Sequence, residues 1–265
     1  MKNWFVLSIC ICFVSVSFAQ EKFRLLKTVT WKEDIVHAAI DRVGELYLTD
    51  RANKISRIDV NGKTIASAQL KARPDIFDPR DGSHVFLYWR NNQRFELRLS
   101  DLTTTSTSKV IDSAFAVSPY LACPSGDHDI LVLDSADWSL KKVSGTHDRV
   151  IFETIILPGG VRSSDLVWMR EYQNFVFVQD KSVGLRIFNR MGKHLKTLDT
   201  HDASYFNFLG VELYYPSGTN TLQFFDLFTT EERVVQLPSE FQFALLSDER
   251  LFIVKARELS IYSVE

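Results

Sequence analysis

From Ile35 onward the chain alternates short apolar runs of five or six residues with polar turns, and the runs come in sets of four. The first set is the clearest. Ile35-Val36-His37-Ala38-Ala39-Ile40 ends at the turn Asp41-Arg42-Val43-Gly44, and Leu46-Tyr47-Leu48-Thr49-Asp50 follows. A polar loop, Arg51-Ala52-Asn53, leads to a third run, Lys54-Ile55-Ser56-Arg57-Ile58-Asp59, and Asn61-Gly62 turns it into a fourth, Thr64 to Leu70. Asn-Gly between alternating runs predicts a hairpin, because both residues tolerate positive φ. No stretch of ten or more residues carries a 3.6-residue apolar period, so helix content should be very low.

The second and third runs of this set recur along the chain. They return as Val85–Trp89 with Arg94–Leu99, and as Ile130–Asp134 with Ser139–Val143. Later copies are Phe175–Asp180 with Gly184–Phe188, Val211–Tyr215 with Leu222–Asp226, and Leu251–Val254 with Glu258–Tyr262. The apolar anchors of the third runs are Ile55, Phe95, Leu140, Leu185, Leu222 and Leu259, spaced 40, 45, 45, 37 and 37 residues apart. Four antiparallel strands in about 40 residues make one β-propeller blade, so the repeat predicts an all-β, six-bladed propeller. Runs such as Phe175 to Val178 are apolar on both faces, as strands packed between neighbouring blades should be. The sixth set stops at its third run, whereas Phe23 to Trp31 is a strand-like piece with no set of its own. If that piece supplies the outer strand of the last blade, hydrogen bonds between the two ends of the chain close the ring.

The pattern Asp41-x-x-Gly44-x-Leu46-Tyr47-x-x-Asp50, followed by Ile55 and Asp59-x-x-Gly62, resembles the NHL and TolB-like six-bladed groups. Leu46-Tyr47-Leu48-Thr49-Asp50 and Leu87-Tyr88-Trp89-Arg90 are similar to Tyr-Trp-Thr-Asp repeats. The resemblance is good over the first set, partial in the third and fourth, and weak elsewhere. It implies fold and leaves function open, since these groups include lactonases, ligand receptors and protein-interaction scaffolds.

The start of the chain is of another kind. Met1-Lys2-Asn3 precedes an apolar stretch from Trp4 to Phe18, and Ser17-Phe18-Ala19 has the small-residue pattern of a signal-peptidase site. The apolar stretch is shorter than the roughly 20 residues that span a bilayer as a helix. Residues 1–19 are therefore expected to be a signal peptide, and 20–265 a single propeller domain in the periplasm or outside the cell. Cys10 and Cys12 lie in this leader, each after an Ile, which differs from the Leu-x-small-Cys box of a bacterial lipoprotein. Removing 19 of 265 residues leaves 246, and division by six blades gives 41 per blade. No other segment is long and apolar enough for a transmembrane helix. One cysteine, Cys123, remains, so no intrachain disulfide can form and stability must come from packing. Loss of Lys2 leaves 30 basic residues against 33 acidic, a net of −3. Without a basic run, nucleic acid is not an expected partner.

Candidate chemistry gathers on the face formed by loops that enter the innermost strands and loops that join second to third strands. An acidic residue precedes the innermost strand of nearly every blade: Asp34, Asp75, Asp112, Asp165, Asp202 and Glu240. Either these carboxylates cap turns, or they form an acidic ring for a cationic ligand. Two carboxylates about 10 Å apart in water repel by only ~0.4 kcal/mol, so such a ring can stand without a cation. No cofactor is expected; were several carboxylates to converge, their oxygens would favour calcium over zinc. Arg162 and Asp165, in a loop beginning Leu157-Pro158-Gly159-Gly160, are candidates for binding, as are Trp138 and Arg90 with Asn91 and Asn92. The Gly-Gly pair precedes a strand and not a helix N-terminus, which argues against a phosphate loop. The six histidines, His37, His84, His128, His147, His194 and His201, show no zinc spacing, and no nucleophile can be paired with a base.

The expectation is a non-enzymatic binding or scaffold propeller that recognises a protein, peptide or glycan on its loop face, as a monomer or as part of an envelope complex. Two alternatives stand beside it: a metal-dependent hydrolase of the lactonase type, and an accessory subunit of an outer-membrane assembly.

Overall fold

The computed structural model describes residues 22–79, 82–104, 108–126, 129–145, 147–200 and 203–265. The leader expected at 1–19, His128 and the pair His201-Asp202 lie outside the described residues. Strand β1 (Phe23–Thr30) comes first. Blade one is β2 (Ile35–Ile40), β3 (Leu46–Asp50), β4 (Lys54–Ile58) and β5 (Thr64–Gln69). Blade two is β6 (Ile76–Asp78), β7 (His84–Trp89), β8 (Arg94–Leu99) and β9 (Lys109–Val110). Blade three runs β10 (Pro119–Pro124), β11 (Ile130–Asp134), β12 (Ser139–Val143) and β13 (Val150–Ile155). Blade four is β14 (Leu166–Tyr172), β15 (Phe175–Asp180), β16 (Gly184–Asn189) and β17 (His194–Leu198). Blade five is β18 (Asn207–Leu209), β19 (Glu212–Pro216), β20 (Thr221–Asp226) and β21 (Glu232–Gln236). Blade six has β22 (Phe243–Leu246), β23 (Arg250–Lys255) and β24 (Glu258–Val264).

The fold is the expected six-bladed propeller, and each blade is a four-stranded antiparallel meander. All six predicted anchors fall in third strands; five are buried outright, while Phe95 is half-buried against Phe86. The sixth sheet has the order β1-β24-β23-β22, so the two ends of the chain share one blade. Pairing between β1 and β24 runs from Phe23 opposite Val264 to Thr30 opposite Glu258, with one bulge between Leu25 and Lys27. Lys22 and Glu265 add reciprocal backbone bonds beyond it. Cys123 is fully buried on the innermost strand of blade three and takes part in no disulfide among the described residues. No helix among the described residues is long and apolar enough to cross a membrane.

The core is a ring of layers between blades. Ile35, Leu48 and Ile58 of blade one pack on Phe243, Phe252 and Ile261 of blade six. Tyr47 and Ile55 meet Phe77 and Leu87 across blades one and two. Blades two, three and four share a continuous cluster, blades four and five another, and blades five and six a third. Every adjacent pair of blades is thus sealed by apolar contact, the largest favourable contribution to folding. Tyrosine hydroxyls fasten some of these seams. Tyr88 of blade two donates to the Pro119 carbonyl of blade three at 2.7 Å, and Tyr214 of blade five accepts the Leu246 N–H of blade six at 3.0 Å.

One turn is used three times. Asp41, Asp59 and Asn189 each accept two backbone N–H bonds on Oδ1, from the residues two and four positions ahead. Gly44, Gly62 and Gly192 then occupy the left-handed region, with φ of +83°, +78° and +80°. The hairpin expected at Asn61-Gly62 is therefore a three-residue loop in which Gly62 alone has positive φ, because the Asp59 carboxylate fixes the rest. At Gly192 a β-carbon would come within 2.2 Å of the Thr154 methyl of blade three, so glycine also sets how closely neighbouring blades approach.

A second repeated device ends the second strands. Asp50, Asp134 and Asp180 are buried carboxylates that hold the loop to the third strand. Asp134 accepts N–H bonds from Val117, Ser118 and Ala136 and pairs with Lys141 Nζ at 2.9 Å. Asp180 accepts from Ser182 and pairs with Arg186 at 2.9 Å. Burial pushes both carboxyls up, but the hydrogen bonds and cations outweigh it and hold them below the usual range. Blade two has Arg90 at this position, and there Asp75 caps the loop from the other side by accepting the Arg90 N–H at 2.9 Å.

Because β1 supplies the only outer strand of blade six, deleting Lys22–Trp31 should lower the melting temperature of the whole domain in one cooperative transition, measured by calorimetry. An unchanged melting temperature would contradict the closure.

Candidate functional site

The innermost strands of blades one, three and four share an irregularity at their start. The register shifts between Ile35 and His37, between Pro119 and Leu121, and between Leu166 and Trp168. An extra residue at such a bulge re-aims the side chains that follow. Here it brings His37 of blade one against Trp168 of blade four, stacked at 5.7 Å between ring centroids. Phe77 of blade two lies 5.8 Å from His37 and Phe243 of blade six 6.0 Å, both edge-on. Four rings from four blades meet where the innermost strands converge.

Further along the same strands lies a polar layer. The Arg170 guanidinium of blade four donates to Asp78 of blade two at 3.0 Å and to Asn207 of blade five at 2.7 Å. Arg170 and Asp78 are both buried, so the pair holds its charges in mutual contact where water is excluded.

Above the rings is a cavity of about 820 Å³. His37 and Phe77 line it from the inner strands, Trp89 from the end of β7, and Asn91 and Asn92 from the loop that follows. Arg73 and Asp75 come from the loop entering β6, Lys181 from the loop after β15, and Ser204 from the loop before β18. Blades one, two, four and five contribute, all from the loop face expected to carry function. The contents are an aromatic floor, two side-chain amides, two cations and one carboxylate.

His37 is the most perturbed group of the site. Its Nδ1 is sealed from solvent and has no hydrogen-bond partner among the described residues, while part of the ring faces the cavity. Desolvation, with the Arg73 charge adding to it, pushes its pKa down to about 4. The imidazole is therefore neutral at pH 7 and acts as part of the aromatic floor.

The acidic residues singled out from sequence stand in separate networks. Asp34 pairs with Arg257 of blade six at 2.6 Å and Arg51 at 3.3 Å, and the Arg257 bond holds its carboxyl below the usual range. It fastens the first blade to the last. Asp75 alone lines the cavity. Asp165 pairs with Arg162 at 2.9 Å beside a second, shallower depression of about 370 Å³ that includes Gly159 and Gly160. Asp112 caps its own turn through Ala114 and lies well before β10, so the expected position before the innermost strand of blade three belongs to Ser118. Its carbonyl accepts the Ser135 N–H as the Asp34 and Asp165 carbonyls accept those of Arg51 and Lys181. Glu240 sits three residues before β22, and Asp202 lies outside the described residues. Among the described residues no three of His, Cys, Asp and Glu come together where they could hold a metal ion.

Arg90 and Trp138 have structural work. The Arg90 guanidinium lies 3.8 Å from the Tyr120 ring centroid and donates to the Tyr120 carbonyl, joining blades two and three. Trp138 has φ of +60° and is half-buried against the shared core of blades two to four. Asn91 and Asn92, beside Arg90, do reach the cavity. His37, Arg73 and Lys181 were not candidates, because nothing in their local sequence marks them.

If His37 is neutral in the fold, the stability it contributes is complete above pH 6.5, its unfolded value, and is lost as pH falls toward 4. The shift corresponds to at most about 3 kcal/mol. Replacing His37→Phe should remove up to that amount of acid sensitivity, read from urea unfolding across pH 6.5 to 4. Parallel curves for the two proteins would contradict it.

No family model and no curated protein matches this chain. Solved structures do. Virginiamycin B lyase from Staphylococcus aureus matches 92% of this chain and 100% of its own, at 12% identity and a TM-score of 0.55. A catalytically inactive variant of that lyase, with quinupristin, matches at 12% identity and 0.54 over 93% of this chain. The extracellular domain of BT4673 from B. thetaiotaomicron, described as a one-component system, matches 86% of this chain and 33% of its own, at 13% identity and 0.52. These likenesses show one thing in common: the chain has the β-propeller fold.

Proposed function

We propose that the chain is an exported, non-enzymatic binding propeller that takes a protein or peptide segment into the mouth on its loop face. The observation that carries this reading is the cavity at the point where four blades converge. It is floored by His37, Phe77 and neighbouring rings and backed by the Arg170–Asp78–Asn207 layer. Such a cavity is of the size that takes a small ligand or a few side chains. Apolar floor with a few polar groups on the rim is the usual make-up of a recognition pocket, in which aromatic anchors supply contact and amides fix orientation. Trp89, Asn91 and Asn92 fill those roles here. Export rests on the leader pattern at Met1–Ala19, and an intact mass matching Gln20–Glu265 in protein recovered from the cell envelope would test it.

An enzymatic reading draws on likeness to a lyase at 12% identity. A lactonase would also require a converging metal set, which the described residues do not assemble.

A mixed array of peptides and glycans distinguishes the ligand classes. Peptide spots should bind, and the signal should fall at least tenfold in Ser204→Trp, which fills the mouth, and in the double variant Asn91→Ala/Asn92→Ala. Val234→Ser, on the outer strand of blade five, should leave it unchanged. Binding to glycans alone, or binding untouched by the mouth variants, would overturn the proposal.

A further inference from the structure

We infer that the mouth is built to hold a carboxylate on its ligand, with Arg73 as the hook, Lys181 as a second cation, and the ring floor taking the apolar group beside that carboxylate. This rests on the reading of the mouth as a binding site.

Cations near this face are mostly spoken for. Arg51 and Arg257 pair with Asp34, Arg162 with Asp165, and Arg186 with Asp180. Arg73 and Lys181 differ: neither has a carboxylate within ion-pair distance among the described residues, and both line the cavity. The one acid on the lining, Asp75, already accepts the Arg90 N–H. The lining therefore carries two cations against one occupied carboxylate, in a chain whose formal net charge is −2. Arg73 and Lys181 are both solvent-exposed, so they stand open to an incoming anion, and the lining carries one net positive charge in an acidic protein.

The surroundings narrow the kind of anion. Attraction between opposite charges at a partly desolvated protein site is roughly fourfold that in bulk water. Arg73 lies close enough to His37 for its charge to act on the ring, so a carboxylate held by the guanidinium would set its attached group over His37 and Phe77. Guanidinium and carboxylate match as a planar two-bond pair. Phosphate fits less well: the N–H that opens the short 3-10 turn Arg90–Asn92 at the cavity is already donated to Asp75, and a bare phosphate would leave the aromatic floor uncovered. An acid group beside an apolar group is the chemistry of a peptide C-terminus and also of a free arylalkyl acid.

Isothermal titration of the protein with N-acetyl-glycyl-phenylalanine, its C-terminal amide, 3-phenylpropionate and inorganic phosphate tests this. The acid should bind at least tenfold tighter than the amide, a ratio on the scale of one charge-assisted hydrogen bond. Arg73→Gln should bring the acid down to the level of the amide with an unchanged circular dichroism spectrum, and Lys181→Gln should weaken the acid by a smaller factor. Tighter binding of the dipeptide acid than of 3-phenylpropionate would identify a peptide C-terminus as the source; equal binding would identify a free organic acid. Acid and amide binding alike would overturn the carboxylate hook while leaving the mouth as a binding site. Phosphate binding as tightly as the acid, acid binding unaffected by Arg73→Gln, or no binding of any probe at 20 mM would also overturn it.

Discussion

The structure depends on a pairing between the two ends of the chain. Blades one to five are consecutive meanders, each built from its own stretch of sequence, but blade six takes its outer strand from Phe23–Thr30 and its other three from Phe243–Val264. Without β1, β24 would be an open edge with unpaired N–H and C=O groups, a form that invites aggregation. Closure also commits the apolar seam between blades one and six, where Ile35 and Ile58 meet Phe243 and Ile261, and the Asp34–Arg257 contact at its rim. A ring differs from a row of blades in this respect: the last interface forms only when all the others are in place.

Closure is also what creates the mouth. His37, Phe77, Trp168 and Phe243 come from blades one, two, four and six, and no two of them are neighbours in sequence. Their rings converge because the ring of blades is complete, and the bulges before His37 and Trp168 turn those side chains inward. The Arg170–Asp78–Asn207 layer then ties blades two, four and five together. Packing and cavity share residues here: the contacts that hold the blades in register also floor the cavity. A neutral His37 belongs to both, since its burial lowers its pKa and Arg73, on the cavity wall, lowers it further.

Much of the architecture was legible in the sequence because propeller blades are local. Ile55, Leu140, Leu185, Leu222 and Leu259 sit at one repeated position, and Asp41-x-x-Gly44 with Asp59-x-x-Gly62 encodes one turn within a few residues. The unassigned strand at Phe23–Trp31 pointed to closure by subtraction. The site was legible only as a face. Of the residues that line the cavity, Asp75, Asn91 and Asn92 lie on the face singled out from the sequence, whereas His37, Arg73 and Lys181 are far apart in the chain and share no motif. The acidic positions were visible, but their partners were not: Arg257 lies over two hundred residues from Asp34, and only the closed ring brings them together. A bulge leaves no signature in the apolar pattern, so nothing announced that His37 would turn into the cavity.

Hydrogen–deuterium exchange along β1 tests the closed ring most directly. If β1 is an integral strand of blade six, its amides bonded to β24 exchange only when the domain unfolds, at the same slow rate as amides of the central strands and with the same dependence on denaturant. Exchange of β1 on the timescale of a frayed terminus, with the remaining blades still protected, would contradict the account.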